Sequence, residues 1–488
     1  RATIAALSLK VEGDLQTRAE AGDVDARELQ RRVGAAWPLQ PGTPFGQADW
    51  SAAKSAVLVQ LRAAGYPLAA WTSTAAEVDA AQHSVAITAV ADSGPRFHFG
   101  ELRIEGLSRY DESAIRNLAP FDPGTPYSEQ ALLDFQERIA KAGLFDSVAV
   151  TLEPDAAQAS AAPVLVRVRE LPKQQATVGV GYSMESGPRL SFEHLQRRPF
   201  GLDWQAKTKL QLGRNQSSLS LDLTSHPLPG LYRNLLSGSY THEVASGVTT
   251  NSQQYRVGRT QDTDAIERLY YFEWQHAAIN SDGVDSSSTA ATLNYEWVWR
   301  RLDSNLLPTR GISASAKVGA GRAFQAAGDL QLNAGWFSRA SGRVTGYLPL
   351  GAQWFGQARL EGAQVFSGPD VAVPYTLLFR AGGDNSVRGY GYQSLGPNNQ
   401  DGTPAGGHVL ATSSIELARP ISPKRPAWLG AVFVDAGDAA IDWRSLRPAL
   451  GYGVGARWRS PAGLLSLDLA YGQRTRKFRL HFNVGVVF

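Results

Sequence analysis

The sequence predicts an α+β region of two repeats followed by a transmembrane antiparallel β-barrel of sixteen strands. Three observations carry this. The first is composition: among 488 residues there are 48 Gly, 18 Phe, 16 Tyr and 12 Trp, yet only 43% of the chain is hydrophobic. A chain rich in glycine and aromatics but only moderately apolar suits a barrel whose alternate residues face water inside it. The second is a change of period. Helical spacing stops near Leu171–Gln175, and a period of two replaces it to the end of the chain. The third is an internal repeat, "PGTP" plus an aromatic, which occurs twice ahead of a helix-like stretch that closes on Ala-Gly.

Composition also excludes several classes of function. There is no cysteine, which removes disulfides, thiolate metal sites and cysteine nucleophiles. The net charge is +3 with both signs interspersed, and no basic tract points to nucleic acid. No run of 18 apolar residues marks a membrane helix. The chain begins at Arg1 with no charged-then-apolar leader, so we expect a signal peptide already removed or a trimmed chain. No H-E-x-x-H, Walker or G-x-S-x-G pattern occurs, and His194, His226, His242 and His276 fall singly. Ser220 and His226 are the only lipase-like pair worth naming. We therefore expect a protein that is not an enzyme, with no cofactor and no metal.

The elements follow in order. Residues 1–93 and 94–172 form the two repeats, each read as strand, helix, helix, strand, strand. In the first, Pro41–Phe45 ("PGTPF") leads into a helix ending at Ala63–Tyr66 ("AAGY"). In the second, Pro123–Tyr127 ("PGTPY") leads into one ending at Ala142–Phe145 ("AGLF"), four residues shorter between marks, about one helical turn. Ser128 caps that second helix, and Leu132, Phe135, Ile139 and Leu144 share one face. Each repeat has its own apolar face, so residues 1–170 are expected to fold without the barrel.

Residues 173–488 form the barrel. In "SLSLDLTSHPL", Leu219, Leu221 and Leu223 oppose Ser220 and Asp222; in "GLLSLDLAY", Leu465, Leu467, Leu469 and Tyr471 oppose Ser466, Asp468 and Ala470. "LHFNVGVVF" closes the chain with Leu480, Phe482, Val484, Val486 and Phe488 on one face. Sixteen strands allow about 20 residues each with its loop, and a barrel entered and left from one side has an even count.

Four stretches carry a resemblance to a known family. "GGDNSVRGY" (Gly382–Tyr390) is similar to a V/I-R-G-Y/F loop motif, and "GAVFVDAGDA" (Gly430–Ala439) to an F-x-D-x-G strand. "GYGVGARWRSPAGLLSLDLAY" (Gly451–Tyr471) is similar to a G-x-G-x-R-x-x-S-P-x-G hairpin, and "VGVGYSMESGPRL" (Val178–Leu190) to a first strand and turn. On these motifs the chain resembles the outer-membrane assembly-factor superfamily, in which periplasmic POTRA repeats precede a barrel, and within the BamA/TamA group it looks TamA-like. The resemblance implies an outer-membrane barrel with the repeats in the periplasm. It further implies that the loop 381–397 folds into the lumen and docks Arg388 on the inner wall, with Val387, Gly389 and Tyr390 around it. It implies unfolded outer-membrane clients such as autotransporters, a periplasm-spanning TamB-like partner, and contact with outer-membrane lipid. TamA-like proteins carry three repeats against the two found here, so one is expected to be missing from the chain or absent by nature.

The residues themselves say where the wall partners point. Val432 and Val434 facing lipid leave Asp435 in the lumen, and Tyr452, Val454 and Trp458 facing out leave Arg457 inside. The tight "SPAG" connection pairs Arg457 with Ser466 and puts Asp468 diagonal to it. A wall carboxylate such as Asp435 needs a cation, and Arg388 can supply one in a bidentate fork. The first strand (Val178, Gly179, Val180, Gly181) and the last (Val484, Gly485, Val486, Phe488) must pair to close the barrel. Their glycines weaken packing there, which suits a seam that opens laterally and templates a client strand. Transport through the pore, as in two-partner secretion, is the alternative, as is a general BamA-like assembly role.

Overall fold

The computed structural model describes residues 2–487 apart from 184–186, 264, 282, 305–307, 325, 329–332, 352, 399–403, 423, 426 and 461–462. Of residues 183, 328, 460, 463–464 and 483–487 it describes the backbone alone. The chain divides into two compact units, Arg1–Leu171 with Pro227–Pro229, and Pro172–His226 with Gly230–Phe488.

The first unit holds two repeats. One runs β1 (Thr3–Glu12), α1 (Asp14–Glu20), α2 (Val24–Ala35), α3 (Gln47–Ala63), β2 (Ala70–Asp79) and β3 (Ser84–Asp92). It has three helices where two were expected. Asp23 starts a new helix after Gly22, its carboxylate accepting from Asp25 N at 2.9 Å and Ala26 N at 3.1 Å. The other repeat runs β4 (Phe99–Glu105), α4 (Ser113–Arg116), α5 (Glu129–Lys141), β5 (Phe145–Leu152) and β6 (Ala162–Glu170). In both sheets the last strand lies in the middle, parallel to the first and antiparallel to the second. Helix α3 has 17 residues and α5 has 13, so the repeats differ by about one turn. Trp37, Leu61 and Ile87 fill the first core; Phe99, Phe135, Ile139 and Leu144 fill the second.

Glu170, at the end of β6, is held by the loop after β4. It accepts from the backbone N–H of Ser108 (2.9 Å) and Arg109 (2.8 Å), from Ser108 Oγ (3.0 Å) and from Arg109 Nε (2.5 Å). Burial alone would raise this carboxyl, but the two N–H groups and then the two side chains outweigh burial and hold it at about 2. A depressed folded value means that the unfolded chain takes the proton first. The stabilisation is complete above about 4.5, and it fades as pH falls toward about 2. Glu170→Gln should cost about 3 kcal/mol near neutral pH and flatten the acid-side slope. Urea melts of the fragment 1–171, followed by circular dichroism at several pH values, would show it. An unchanged slope would assign the acid sensitivity to other carboxylates.

The second unit is a closed antiparallel barrel. Its strands are β7 (Gln174–Ser183), β8 (Gly187–Gln196), β9 (Trp204–Gly213), β10 (Gln216–Ser225), β11 (Tyr232–Ala245), β12 (Val248–Asp262), β13 (Ile266–Ser281), β14 (Val284–Leu302) and β15 (Gly311–Ala323). They continue through the two-residue β16 (Ala327–Gly328) to β17 (Gly335–Leu350), β18 (Trp354–Ser367), β19 (Val409–Pro420), β20 (Trp428–Ala440), β21 (Ala449–Ser460), β22 (Gly463–Gly472) and β23 (Lys477–Val487). Leaving out the short β16, these are the sixteen strands that the periodicity predicts. Leu219, Leu221, Val432, Val434, Leu467 and Leu469 are exposed on the outer face, whereas Asp435 and Asp468 are buried on the inner one.

Two features position the functional site. The long segment between β18 and β19 turns inward, and its Val373, Leu377, Phe379, Val387, Tyr390 and Leu395 pack with wall residues such as Phe337 and Val365. The other feature is closure. β23 pairs with β7 over five residue pairs among the described residues, from Asn483 opposite Ser183 to Val487 opposite Gly179, against sixteen pairs between β13 and β14.

Candidate functional site

Arg388 sits on the inward loop, 7% exposed, and Asp435 lies beneath it at 0%. The guanidinium grips the carboxylate in a fork, Nε to Oδ2 at 2.7 Å and Nη2 to Oδ1 at 2.9 Å. The backbone N–H of Arg388 adds a third bond to Oδ2 at 3.0 Å, which fixes the loop as well as the side chain. The fork lies 3.4 Å above the Phe433 ring. Arg388 Nη1 also reaches Glu416 Oε2 (2.8 Å) and Asp468 Oδ2 (3.3 Å).

Arg457 completes the network. It lies opposite Ser466 in the β21–β22 hairpin, and Asp468 is one step diagonal, opposite Gly455. Its Nη1 donates to Asp468 Oδ1 at 2.5 Å and its Nη2 to Glu416 Oε2 at 2.8 Å. Two arginines thus share three carboxylates on four neighbouring strands, β19 to β22. The room for this comes from glycines on the lumen face of β21. A Cβ at Gly451 would stand 1.8 Å from the Arg388 carbonyl oxygen, and one at Gly455 would stand 1.8 Å from Asp468 Oδ1.

The remaining loop residues hold neighbouring positions. Val387 is fully buried. Tyr390 is 1% exposed, donates its hydroxyl to Leu450 O at 2.9 Å and accepts from Arg474 N at 2.9 Å. Gly389 donates its N–H to His481 Nε2 at 2.9 Å, while His481 Nδ1 meets Asp384. Asp384 belongs to the same loop and His481 to β23, so the loop also holds the last strand.

Glu416 and His481 were not among the residues singled out from the sequence. The signal for Glu416 was present, since Ile415 and Leu417 face lipid and leave it inside; His481 lies between Leu480 and Phe482 in the same way. Neither stretch contains a motif. His226, the weak catalytic candidate, is engaged elsewhere: its Nε2 bonds to the Arg197 carbonyl at 3.0 Å.

At the seam, Val178 and Val180 are exposed to the outside. Alternation then puts Gly179 and Gly181 on the lumen face. Val180 lies opposite Val486, Gly181 opposite Gly485, and Val484 opposite Tyr182. Phe488 and the side chains of Val484 and Val486 lie outside the described residues.

Residues 175–488 match the Omp85 superfamily domain, and residues 97–171 match POTRA, a surface antigen variable number repeat. BamA from Haemophilus ducreyi lacking POTRA domains 1–3 is similar over 100% of both chains, with a TM-score of 0.75 at 18% identity. CdiB from Acinetobacter baumannii is similar over 100% of this chain and 90% of its own, with a TM-score of 0.54 at 14% identity. CdiB from Escherichia coli matches to the same TM-score at 15% identity, over 91% of its length. At such identities the structures speak for the fold alone, but the domain match spans most of the chain. The chain belongs to the Omp85 superfamily of outer-membrane assembly and transport factors, its barrel in the outer membrane and its POTRA repeats in the periplasm.

Proposed function

We propose that this protein is a TamA-type insertase, which takes unfolded outer-membrane clients, autotransporters among them, into the bilayer through the seam between β7 and β23. The observation that carries the reading is the five-pair seam, the shortest ladder between neighbours among the sixteen long strands over the described residues. A short ladder of main-chain bonds is the cheapest joint to part, and each parted strand offers an edge to a client strand.

The apolar height of the lipid face differs from strand to strand. On β8 Pro188, Leu190 and Phe192 are exposed apolar residues at outward positions, followed toward the periplasm by His194 and Gln196. On β14 Ala291, Leu293, Tyr295, Trp297 and Trp299 occupy five successive outward positions. Each outward step is about 7 Å along a strand, so the apolar wall is shorter on β8 than on β14, while the seam strand β7 keeps Ala176, Val178, Val180 and Tyr182 at outward positions. The inward loop weighs against pore secretion, since it packs against the inner wall and is anchored there by Arg388 on Asp435. A TamB-type periplasmic protein is the expected partner, and outer-membrane phospholipid the expected lipid.

Purified protein in vesicles should speed the folding of a urea-unfolded autotransporter barrel into the bilayer, read by heat-modifiable gel mobility. Client chain delivered to the vesicle lumen without barrel insertion would favour pore secretion instead.

A further inference from the structure

The turn between β8 and β9, at the barrel end where β7 begins, has a feature that barrel closure does not require. Phe200 is 98% exposed, and its backbone is left-handed at φ 53, ψ 21. A bulky residue in that region is strained, and a strained residue persists only where its surroundings hold it. Here they do. Arg197, 3% exposed, donates to Pro172 O at 2.9 Å and to Gln175 Oε1 at 2.8 Å. Its carbonyl receives His226 Nε2, and the His226 N–H donates to Asp203 O at 2.9 Å. Leu202 N closes the turn on Pro199 O at 2.9 Å.

A scaffold this specific, ending in an almost wholly exposed phenyl ring, implies that something outside the chain receives the ring. Leu202 beside it is 57% exposed. Trp204 opens β9 on the outward face, where barrels place their interfacial aromatics. Arg198 lies in the same turn, its guanidinium partly exposed and 3.3 Å from Asp203. An apolar tip, an adjacent indole and a cation at the rim of a membrane barrel match the headgroup layer of a phospholipid leaflet.

We propose that the turn 198–202 is a membrane wedge. Phe200 and Leu202 enter the periplasmic leaflet at the headgroup–acyl boundary, and Arg198 meets a lipid phosphate. The contact does not depend on which client the protein handles or on whether the seam opens.

The absence of native cysteine makes the test clean. Phe200→Cys, carrying an environment-sensitive fluorophore, is placed in phosphatidylethanolamine–phosphatidylglycerol vesicles, with Leu202→Cys as a second site on the same turn. Val24→Cys, on an exposed helix of the periplasmic unit, is the aqueous reference, and Leu221→Cys on the outer wall is the lipid reference. The labels at 200 and 202 should be blue-shifted, quenched by lipids brominated near the headgroup end, and shielded from iodide. Iodide quenching equal to that at position 24 would overturn the proposal. So would shielding that appears only when a periplasmic protein is added, because the ring would then be a protein contact. Phe200→Gly should raise the melting temperature of the barrel by releasing the left-handed strain while abolishing shallow-lipid contact of the Leu202→Cys label. An unchanged label at 202 would show that Phe200 does not seat the turn.

Discussion

Locking the seam should abolish client assembly while leaving the barrel folded. Val180→Cys with Val486→Cys places two thiols on directly opposed residues of β7 and β23. Opposed residues in an antiparallel pair have Cα atoms about 4.5–5.5 Å apart, inside the range a disulfide spans. With no other cysteine in the chain, oxidation yields one product. The oxidised protein should keep its heat-modifiable mobility and lose autotransporter assembly, and reduction should restore it. Gly181→Cys with Gly485→Cys tests the same joint from the lumen face, and Val180→Cys with Val484→Cys, two residues out of register, should cross-link poorly. Full assembly by a confirmed cross-linked barrel would exclude lateral opening and turn attention back to the pore.

The second large effect is expected at Arg388. Arg388→Ala strands Asp435, which is wholly buried and, among the described residues, keeps Ser414 Oγ at 2.7 Å as its one side-chain hydrogen-bond partner. Leaving one half of such a pair uncompensated costs about 3–5 kcal/mol in a dry site. The lower end is expected here, because Glu416 and Arg457 border a cavity of about 450 Å³, roomy enough to hold water beside the network. Asp435→Ala should cost less, since Arg388 retains Glu416 and Asp468. The double variant should be no worse than Arg388→Ala alone, and Arg388→Lys should rescue little, because an ammonium cannot make the fork. Subtilisin cleavage within the loop 368–408 of the folded barrel would report release of the anchor. Additive effects of the two alanine variants would mean that the residues act separately.

Much of this architecture was legible because it is local. A period of two assigns every strand residue to lipid or lumen without knowledge of its neighbours. Alternation puts Asp435, Arg457 and Asp468 on the inward face, and all three are buried. A tight hairpin fixes its own register, so Arg457 against Ser466 followed from the connecting "SPAG". The repeated Pro-Gly-Thr-Pro turn marked two similar modules, but not the extra helix of the first, where a single capping aspartate splits one helical stretch in two.

What the chain by itself determined was therefore the class of each segment, the inward or outward face of each strand residue, and the presence of a loop built around one arginine. The tertiary structure alone decided which strands stand opposite which. β7 and β23 lie some three hundred residues apart, and no turn joins them. Their register follows from the stagger accumulated around the whole barrel, where a slip of one residue would exchange lipid and lumen faces. The same closure brings Glu416 of β19 and His481 of β23 to a loop that shares no sequence pattern with them. It also leaves Phe200 at the rim in a conformation that propensity would have given to glycine.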